Sequence, residues 1–180
     1  MEKLIEGLKK DFSSLAGGET LKPLRKELGD VVDIRYLRMI VFGLQWTSVG
    51  YQSALRLAGM KFGRQLGAES EKTELSLVLE EIKKILESLK GGKVEIEIMP
   101  KAKEAQLKIY ESALTAGIPN ILQNICFFEE GFIEGYIDGV LSKQGSIAIA
   151  GAGFSINRVS VEEKRCVGLG DDFCGFSIKF

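Results

Sequence analysis

Three cysteines and an acidic pair are the residues of this sequence whose types and spacing could bind a metal ion. Cys166 and Cys174 flank a Gly- and Asp-rich turn, VGLGDDF, between two strand-like runs, and Cys126 lies 40 residues upstream in a helix-like segment. Glu162 and Glu163 stand just before Cys166. Three thiolates and one carboxylate would fill a tetrahedral zinc shell with no open position, which is typical of a structural site.

Two interpretations of the cysteines stay open on the residues alone. Cysteine is often simply a small buried hydrophobe, and the Cys166–Cys174 spacing is looser than the Cys-x2-Cys knuckle of most zinc sites. The acidic residues and the glycine turn favour a metal. On a regular strand Glu162, and not Glu163, lies on the same face as Cys166. A bulge in the strand would be needed to bring the Glu163 side chain to that face.

The composition is that of one globular domain, or of one domain with a small appended subdomain, without nucleic-acid or membrane features. The chain has 180 residues, 45% of them hydrophobic and 27% charged, with a net charge of −1. Phosphate binding needs clustered lysine and arginine, so we expect no nucleic-acid partner. The longest apolar stretch, 37–46, contains Arg38 and is too short for a membrane span. The N-terminus lacks a signal-peptide core, so we expect the cytoplasm, where thiols stay reduced.

The sequence contains no histidine. This excludes histidine acid–base catalysis, Ser-His and Cys-His nucleophile pairs, and a histidine-ligated heme or catalytic zinc. Most common enzyme chemistries therefore have no candidate residues, and no catalytic residue is predicted.

Hydrophobic periodicity and turn residues predict helices and strands in a mixed order. Helical spacing predicts helices over residues 1–12, 47–67, 70–90 and 118–141, the last with Pro119 in its first turn. Alternation predicts strands over residues 93–100, 106–112, 146–151, 156–166 and 173–180. Residues 31–46 are rich in β-branched and aromatic side chains and suit a strand in part. The order predicts an α+β fold, an antiparallel sheet with helices packed on it.

Six glycines recur at four-residue spacing on two of the predicted helices. Each glycine inside a helix costs about 1 kcal/mol relative to alanine, so the series needs a physical reason. Residues four apart share a face, and a smooth face either lets two backbones approach closely, including across a dimer, or leaves room for a ligand. The residues are Gly59, Gly63, Gly67, Gly131, Gly135 and Gly139.

Aromatic side chains accompany both glycine series. Most are expected in the core, but aromatics beside glycines also line apolar ligand pockets, with Tyr136 as a polar group. The candidate pocket residues are Trp46, Tyr51, Phe62, Phe127, Phe128, Phe132 and Tyr136. Core packing and a ligand pocket both stay open as explanations.

The run from Cys126 to Tyr136, CFFEEGFIEGY, resembles the helix motif Cys-x4-Gly-[Tyr/Phe]-x2-Gly-Tyr of the 4-vinyl reductase domain family. The ending from Glu163 to Cys174 is similar to that family's Glu-x2-Cys-x7-Cys pattern. The family occurs in aromatic-sensing bacterial regulators and in a bacteriochlorophyll-biosynthesis protein. Its fold is related to heme nitric-oxide sensors and to TRAPP trafficking-complex subunits. Because the matching positions hold a structural zinc in phenol-sensing members, the resemblance implies zinc ligation by Cys126, Glu163, Cys166 and Cys174.

The resemblance also implies a function, namely a zinc-stabilised module that binds or senses a hydrophobic or aromatic small molecule and has no catalytic activity of its own. Residues 31–180 would form this ligand-binding domain, and residues 1–30 an N-terminal helix and connection that could support a homodimer. No ATPase or DNA-binding segment is recognised, so a sensing output would pass to a separate partner protein. A phenol-like ligand is not implied, since the histidine that holds phenol in those sensors has no counterpart.

Two other functions stay open at the level of the sequence. The family's name suggests a reductase or a tetrapyrrole-related enzyme, although no nucleotide fingerprint or redox-cofactor site is visible. The related trafficking subunits suggest a protein-interaction scaffold, whose cavity would hold a structural lipid or nothing.

Overall fold

The computed structural model describes residues 6, 7, 10, 25, 27–47 and 50–180, with the side chains of 45–47 outside the description. Its helices are α1 (Ile34–Thr47), α2 (Tyr51–Gly67), α3 (Leu75–Ser88) and α4 (Phe127–Gln144). Its strands are β1 (Lys93–Met99), β2 (Glu104–Tyr110), β3 (Ile147–Ala148), β4 (Ser155–Ile156), β5 (Ser160–Arg165) and β6 (Cys174–Lys179). The helix predicted over residues 1–12, and the dimerisation element predicted over 1–30, lie largely outside the described residues. Among the described helices, none combines the length and the apolar composition that crossing a bilayer requires.

The main sheet is antiparallel, with strand order β1-β2-β6-β5. Alternate residues of the central strands β2 and β6 point to one face and are almost completely buried, as a side-chain period of two requires. They are Ala105, Leu107, Ile109, Cys174, Phe176 and Ile178. The short strands β3 and β4 form a separate hairpin. The predicted α+β fold, an antiparallel sheet with helices packed on it, is therefore confirmed.

Helix α3 packs against β1 and contributes an apolar stripe to the core. The stripe predicted from helical spacing is buried throughout the helix. It consists of Leu75, Val78, Leu79, Ile82, Ile85 and Leu86. Each fully buried leucine, isoleucine or valine contributes about 1.5–3 kcal/mol, so this stripe is a large part of the driving force for folding. Leu89, which directly follows the helix, is 38% exposed and lies outside this stripe.

The two glycine series pack against each other within one chain. Helices α2 and α4 run parallel, because successive glycines of one meet successive residues of the other. A Cβ atom on Gly63 would overlap the carbonyl oxygen of Phe132, and a Cβ atom on Gly135 would overlap that of Met60. The other four glycines meet the opposite backbone in the same way. The close-packing interpretation is confirmed within the chain, and the glycine faces have no room for a ligand.

Residues 31–46 form a helix over most of their length, so the partial strand interpretation is wrong. The Asp33 carboxylate accepts a hydrogen bond of 2.8 Å from the amide two residues on, which caps the start of α1. The Arg38 guanidinium then anchors the helix by donating to the carbonyl oxygens of Ala113, at 3.2 Å, and Ala116. These contacts override β propensity, which is weak and dependent on context.

Helix α4 begins at Phe127 and not at residue 118, so the prediction of Pro119 in its first turn is wrong. The side-chain oxygen of Asn120 accepts a hydrogen bond of 2.9 Å from the Leu122 amide, forming an Asx turn. Leu122 has a φ of 59°, in the left-handed region, which a right-handed helix cannot include. The segment 118–126 is therefore a loop that leads into α4.

Candidate functional site

The fold brings the three cysteines and Glu163 into one buried cluster. One potential ligand atom from each of Cys126, Glu163, Cys166 and Cys174 lies within 4.8 Å of all the others. The sulfurs of Cys126 and Cys174 are 3.1 Å apart, and those of Cys174 and Cys166 are 4.0 Å apart. Ligands of one tetrahedral zinc lie about 3.3–3.8 Å from one another, given metal–ligand bonds of 2.0–2.3 Å. This buried group of three thiols and one carboxylate could hold a metal ion.

Glu163 is oriented by the start of α4. Cys126 immediately precedes this helix, where backbone amides have no partner inside the helix. Its amide donates a hydrogen bond of 3.3 Å to Oε2 of Glu163, at the end of the helix that favours negative charge. The other carboxylate oxygen, Oε1, is buried without a hydrogen-bond partner among the described residues. One oxygen is held by the helix, while the other is available as a ligand.

The turn between Cys166 and Cys174 brings their sulfurs together. The Cys166 amide donates a hydrogen bond of 2.9 Å to the Asp171 carboxylate. The Cys166 carbonyl accepts hydrogen bonds from the amides of Leu169, at 2.8 Å, and Asp171, at 3.2 Å. Gly170 has a φ of 93°, a left-handed conformation that glycine adopts without strain. These bonds close a tight knuckle just before β6, which begins at Cys174.

A bulge in β5 determines which of the two acidic residues joins the cluster. The pairing of β5 with β6 shifts register between Glu163 and Arg165. Glu163 and Cys166, which a regular strand would direct to opposite faces, therefore point to the same side. Glu162 lies on the outer face, where its side chain is 60% exposed and pairs with Lys164 at 2.5 Å.

The loop before α4 packs on the same knuckle. The amides of Ile121 and Gln123 donate hydrogen bonds of 2.9 and 3.4 Å to the carbonyl oxygen of Gly168. A Cβ atom on Gly168 would overlap the carbonyl oxygen of Gln123, so this approach requires glycine. The contact ties the segment that leads into Cys126 to the turn that carries Cys166.

Burial and mutual hydrogen bonding divide the cluster into protonated and ionised groups when no metal is bound. Burial, together with the charge of Cys166, raises the pKa of Glu163 to about 9. Hydrogen bonds with Cys166 and Cys174, and burial, raise the pKa of the Cys126 thiol well above its ordinary value. Hydrogen bonds with Cys126 and Cys166 lower the pKa of Cys174 to about 4. At neutral pH a thiolate thus lies beside protonated neighbours whose protons a metal ion would displace.

Two residues beside the cluster had no place in the sequence prediction. Thr115 is fully buried, and its hydroxyl lies 3.5 Å from the sulfur of Cys174. Asn124 donates from its side-chain amide to the main-chain carbonyl of Glu163 at 3.4 Å. Asn124 is two residues from Cys126 in sequence, and this proximity could have indicated that it lies beside the cluster. No sequence motif marks Thr115.

Four of the seven predicted pocket residues form one aromatic row. The ring centroids of Phe128 and Phe132 are 6.4 Å apart, and those of Phe132 and Tyr136 are 6.1 Å apart. Phe62 of α2 joins the row, 6.2 Å from Phe132. These separations are typical of interacting aromatic pairs. Phe132 and Tyr136 are buried, whereas Phe62, Phe127 and Phe128 are half-buried, so the set runs from the core towards the surface.

Two polar groups of this region have no hydrogen-bond partner among the described residues, the Tyr51 hydroxyl and Oε2 of Glu129. Tyr51 is 7% exposed. Burial, together with the charge of Glu129, raises the pKa of Tyr51, and burial raises the pKa of Glu129 to about 7. By contrast, the Tyr136 hydroxyl donates to Glu81 at 3.1 Å. The side chain of Trp46 lies outside the described residues.

Two cavities lie away from these aromatic residues. One of about 380 Å³ lies on the outer face of the sheet, over Gly175 and Ser177. The other, of about 580 Å³, lies between the turns at residues 99–102 and 151–154. None of the described pocket candidates lines either cavity, so the aromatic pocket stays a prediction.

No family model matches the chain. The chain is similar to two uncharacterized proteins of Methanocaldococcus jannaschii. It is 24% identical to one over 178 residues, which cover 99% of this chain and 91% of that protein. It is 25% identical to the other over 154 residues, which cover 86% of this chain and 81% of that protein.

Comparison with solved structures defines the fold more closely than the two uncharacterized relatives do. A vinyl-4-reductase family protein from Methanocaldococcus jannaschii aligns with a TM-score of 0.55 and 17% identity, over 99% of this chain and 92% of that one. The phenol-responsive sensory domain of the transcription activator PoxR, solved with phenol, aligns with a TM-score of 0.59 and 16% identity. The alignment covers 96% of this chain and 89% of that one. An H-NOX protein from S. oneidensis aligns with a TM-score of 0.51 and 14% identity, over 99% of this chain and 93% of that one.

These likenesses establish the class of fold, an α+β domain shared by the vinyl-4-reductase family protein, the sensory domain of PoxR and the H-NOX protein. Within that class the chain has the vinyl-4-reductase fold, which confirms at the level of the fold what its helix motif and ending implied. A trafficking protein particle complex subunit 3 from Naegleria fowleri aligns with a TM-score of 0.43, which is too low to add to this assignment.

Proposed function

We propose that this chain is a zinc-stabilised member of the vinyl-4-reductase family that binds and senses a hydrophobic or aromatic small molecule. The observation that carries the proposal is the buried group of Cys126, Glu163, Cys166 and Cys174. The same four positions match the motif and the ending that resemble the family, in a chain with the vinyl-4-reductase fold. Family membership is thus supported by sequence pattern, fold and site together.

The donor set fits zinc. Three sulfurs and one carboxylate oxygen are ligands that tetrahedral zinc accepts, whereas calcium and magnesium prefer oxygen alone. The buried Oε1 of Glu163, without a hydrogen-bond partner among the described residues, also supports a cation at this point. Since protein atoms would supply all four positions, the bound ion would be structural and would leave no open position for substrate.

Zinc would connect three parts of the chain that are distant in sequence. Cys126 belongs to the start of α4, Glu163 to β5, and Cys166 and Cys174 to the knuckle before β6. Zinc binding to such a group contributes directly to the free energy of folding, because the unfolded chain has no preformed site. Thiolate ligands also need a reducing compartment, so we place the protein in the cytoplasm.

The ligand site is proposed at the aromatic row beside α2 and α4, with Trp46 and Phe127 at its margin. The partly exposed Phe62 and Phe128 give the row access to the surface. The related sensory domain of PoxR was solved with phenol, which supports a small-molecule site in this fold. The unpartnered Tyr51 hydroxyl would supply a polar contact. A histidine-ligated iron is excluded, because the chain has no histidine.

A homodimer is proposed on the surface of α1, with the N-terminal residues 1–30 as part of the contact. This helix exposes apolar side chains in an unusual number for a folded domain. They include Ile34, Tyr36, Leu37, Met39, Ile40 and Leu44. The output would pass to a separate protein. Light scattering of the purified protein should give twice the mass of one chain, and a monomer at micromolar concentration would contradict the dimer.

Elemental analysis tests the metal centre. Protein purified without chelators, and without a metal-binding tag, should contain about one zinc per chain. Cys166→Ser should lose most of the zinc and much thermal stability, because a neutral hydroxyl replaces a thiolate. A zinc content well below one per chain in the wild-type protein would overturn this part of the proposal.

Native mass spectrometry tests the ligand. A hydrophobic molecule carried through purification, or exchange with added naphthalene, would support a binding module. Phe128→Ala should weaken naphthalene binding, whereas Phe173→Ala, on the outer side of the sheet, should leave it unchanged. Equal binding by both variants would contradict the proposed location.

A further inference from the structure

Strand β5 is an edge strand, and its outward amides are bonded by side chains of α4. An edge strand presents unpaired amide groups on one side. The amide of Val161 donates to Oε2 of Glu134 at 3.0 Å, and the amide of Glu163 donates to Oε2 of Glu130 at 3.2 Å. Two residues of a strand advance about 6.8 Å, and four residues of a helix about 6.0 Å. The spacing of the two carboxylates along α4 therefore matches that of the two amides along β5.

Glu163 is consequently held by α4 at two points. Its main-chain amide is bonded to the Glu130 carboxylate, and its own Oε2 accepts the hydrogen bond from the Cys126 amide. Cys126 and Glu130 are four residues apart and face the same side of the helix. These two bonds fix both the position and the direction of the Glu163 side chain at the bulge.

Arg56 of α2 stabilises the carboxylates that make this contact. Its Nε lies 2.6 Å from Oε1 of Glu130, and its Nη2 lies 2.7 Å from Oε2 of Glu134. The carboxylate side chains are only 15% and 19% exposed, so the pair would repel strongly without a cation between them. The planar guanidinium can bond both carboxylates at once, which a lysine ammonium does less well.

We infer that Arg56 is a positioning residue of the metal centre, acting on Glu163 through Glu130. This inference rests on the proposed zinc site and adds a residue that binds no metal itself. Without Arg56, the two carboxylates separate and the hydrogen bond to the Glu163 amide weakens. The bulge is then held by one contact instead of two, and the carboxylate ligand is lost from the metal more often. Residues that support metal ligands in this way typically change metal affinity about 10–100-fold.

The test compares Arg56→Ala with Arg64→Ala in the zinc-loaded protein. Arg64 lies two turns along the same helix and also pairs with a carboxylate of α4, Asp138, at 3.2 Å, but that carboxylate has no bond to β5 among those described. Zinc release is followed by transfer to a chromogenic chelator. Arg56→Ala should release zinc at least about tenfold faster than wild type. Arg56→Lys should recover part of the loss, and Arg64→Ala should match wild type.

A double-mutant cycle separates a positioning role from a general loss of stability. If Arg56 acts through Glu163, the change R56A should weaken zinc binding much less in an E163Q background than in wild type. The melting temperature of each metal-free variant reports general stability independently. If R56A does not yield folded protein, Arg56→Gln, which keeps two N–H donors without the charge, replaces it throughout.

The outcomes distinguish the inference from the function on which it rests. A wild-type protein that binds no zinc overturns both. If wild type binds zinc while R56A and R64A release it at the same rate, the zinc site stands and the positioning role is wrong. Full additivity of R56A and E163Q would also overturn the role of Arg56.

Discussion

The amide of Cys126 and the carboxylate of Glu163 are joined by a hydrogen bond of 3.3 Å, although 37 residues separate them in sequence. The bond uses one carboxylate oxygen at the start of α4 and leaves the other, Oε1, buried without a hydrogen-bond partner among the described residues. The proposed metal ligand and the group that bonds the amide at the start of α4 are therefore the same side chain. Zinc binding and the start of α4 should be coupled, because a change at Glu163 disturbs both.

Replacing Glu163 with glutamine should weaken zinc binding at least about 100-fold. The amide removes the negative charge from the ligand, and even residues that only support a ligand change affinity by 10–100-fold. The matched control is Glu162→Gln, since Glu162 lies on the outer face and pairs only with Lys164 among the described ion pairs. Competition with a chelator measures both affinities. If E162Q loses zinc affinity and E163Q does not, the carboxylate of Glu162 is the ligand.

Zinc affinity should rise with pH between 6 and 8. In the metal-free protein burial holds a proton on Glu163, with a pKa of about 9, and the pKa of Cys126 is raised well above its ordinary value. Zinc must displace these protons, so each one makes the affinity increase by about tenfold per pH unit below its pKa. Cys174, with a pKa lowered to about 4, is already ionised and adds no dependence. Because two protons are displaced, we expect at least about a hundredfold gain per unit, measured against a chelator of known pH dependence. A gain of only about tenfold per unit would contradict the raised pKa of one of the two groups.

The ligands of the candidate metal centre were predictable because two short motifs contain them. The pattern around Cys126 and the ending from Glu163 to Cys174 pointed to the four residues that the fold brings together. Strand alternation alone favoured Glu162, since a bulge depends on the partner strand and has no local signal. Arg56 was beyond prediction, because 74 residues separate it from Glu130 and only the packing of α2 on α4 joins them.

Helices and strands whose hydrophobic residues recur with a regular period were predicted well. Elements whose conformation depends on contacts distant in sequence were not. The apolar stripe of α3 and the alternation of β1 and β2 follow from burial on one side. By contrast, α1 is anchored by Arg38 on a loop 75 residues away, which its β-rich composition does not reveal. The start of α4 was placed too early because a contact with Gly168 fixes the preceding loop in a non-helical conformation.

Gly135→Ala should destabilise the protein by about 1–2 kcal/mol. The new Cβ would overlap the Met60 backbone, and overpacking of a close contact costs about 1–3 kcal/mol or more, which outweighs the gain of about 1 kcal/mol in helix propensity. Gly43→Ala is the control, because nothing lies within 4 Å of a Cβ atom there in α1. Chemical denaturation should show a loss for Gly135→Ala and no loss for Gly43→Ala. Equal stability of the two variants would mean that α2 and α4 are further apart than described.

Tyr51→Phe should leave stability unchanged or raise it, whereas Tyr136→Phe should lower it. The Tyr51 hydroxyl is buried without a partner among the described residues, and an unsatisfied buried polar group costs about 1–3 kcal/mol, so its removal should leave stability unchanged or raise it. The Tyr136 hydroxyl donates to Glu81 at 3.1 Å, and loss of that bond should cost about 0.5–1.5 kcal/mol. Denaturation of the zinc-loaded, ligand-free protein measures both effects. If the Tyr51 hydroxyl contacts the ligand, Tyr51→Phe should also weaken binding of a ligand with a polar group while leaving naphthalene binding unchanged. A loss of more than about 1 kcal/mol in Tyr51→Phe would mean that the hydroxyl has a partner within the protein, and the polar contact of the pocket would then have to lie elsewhere.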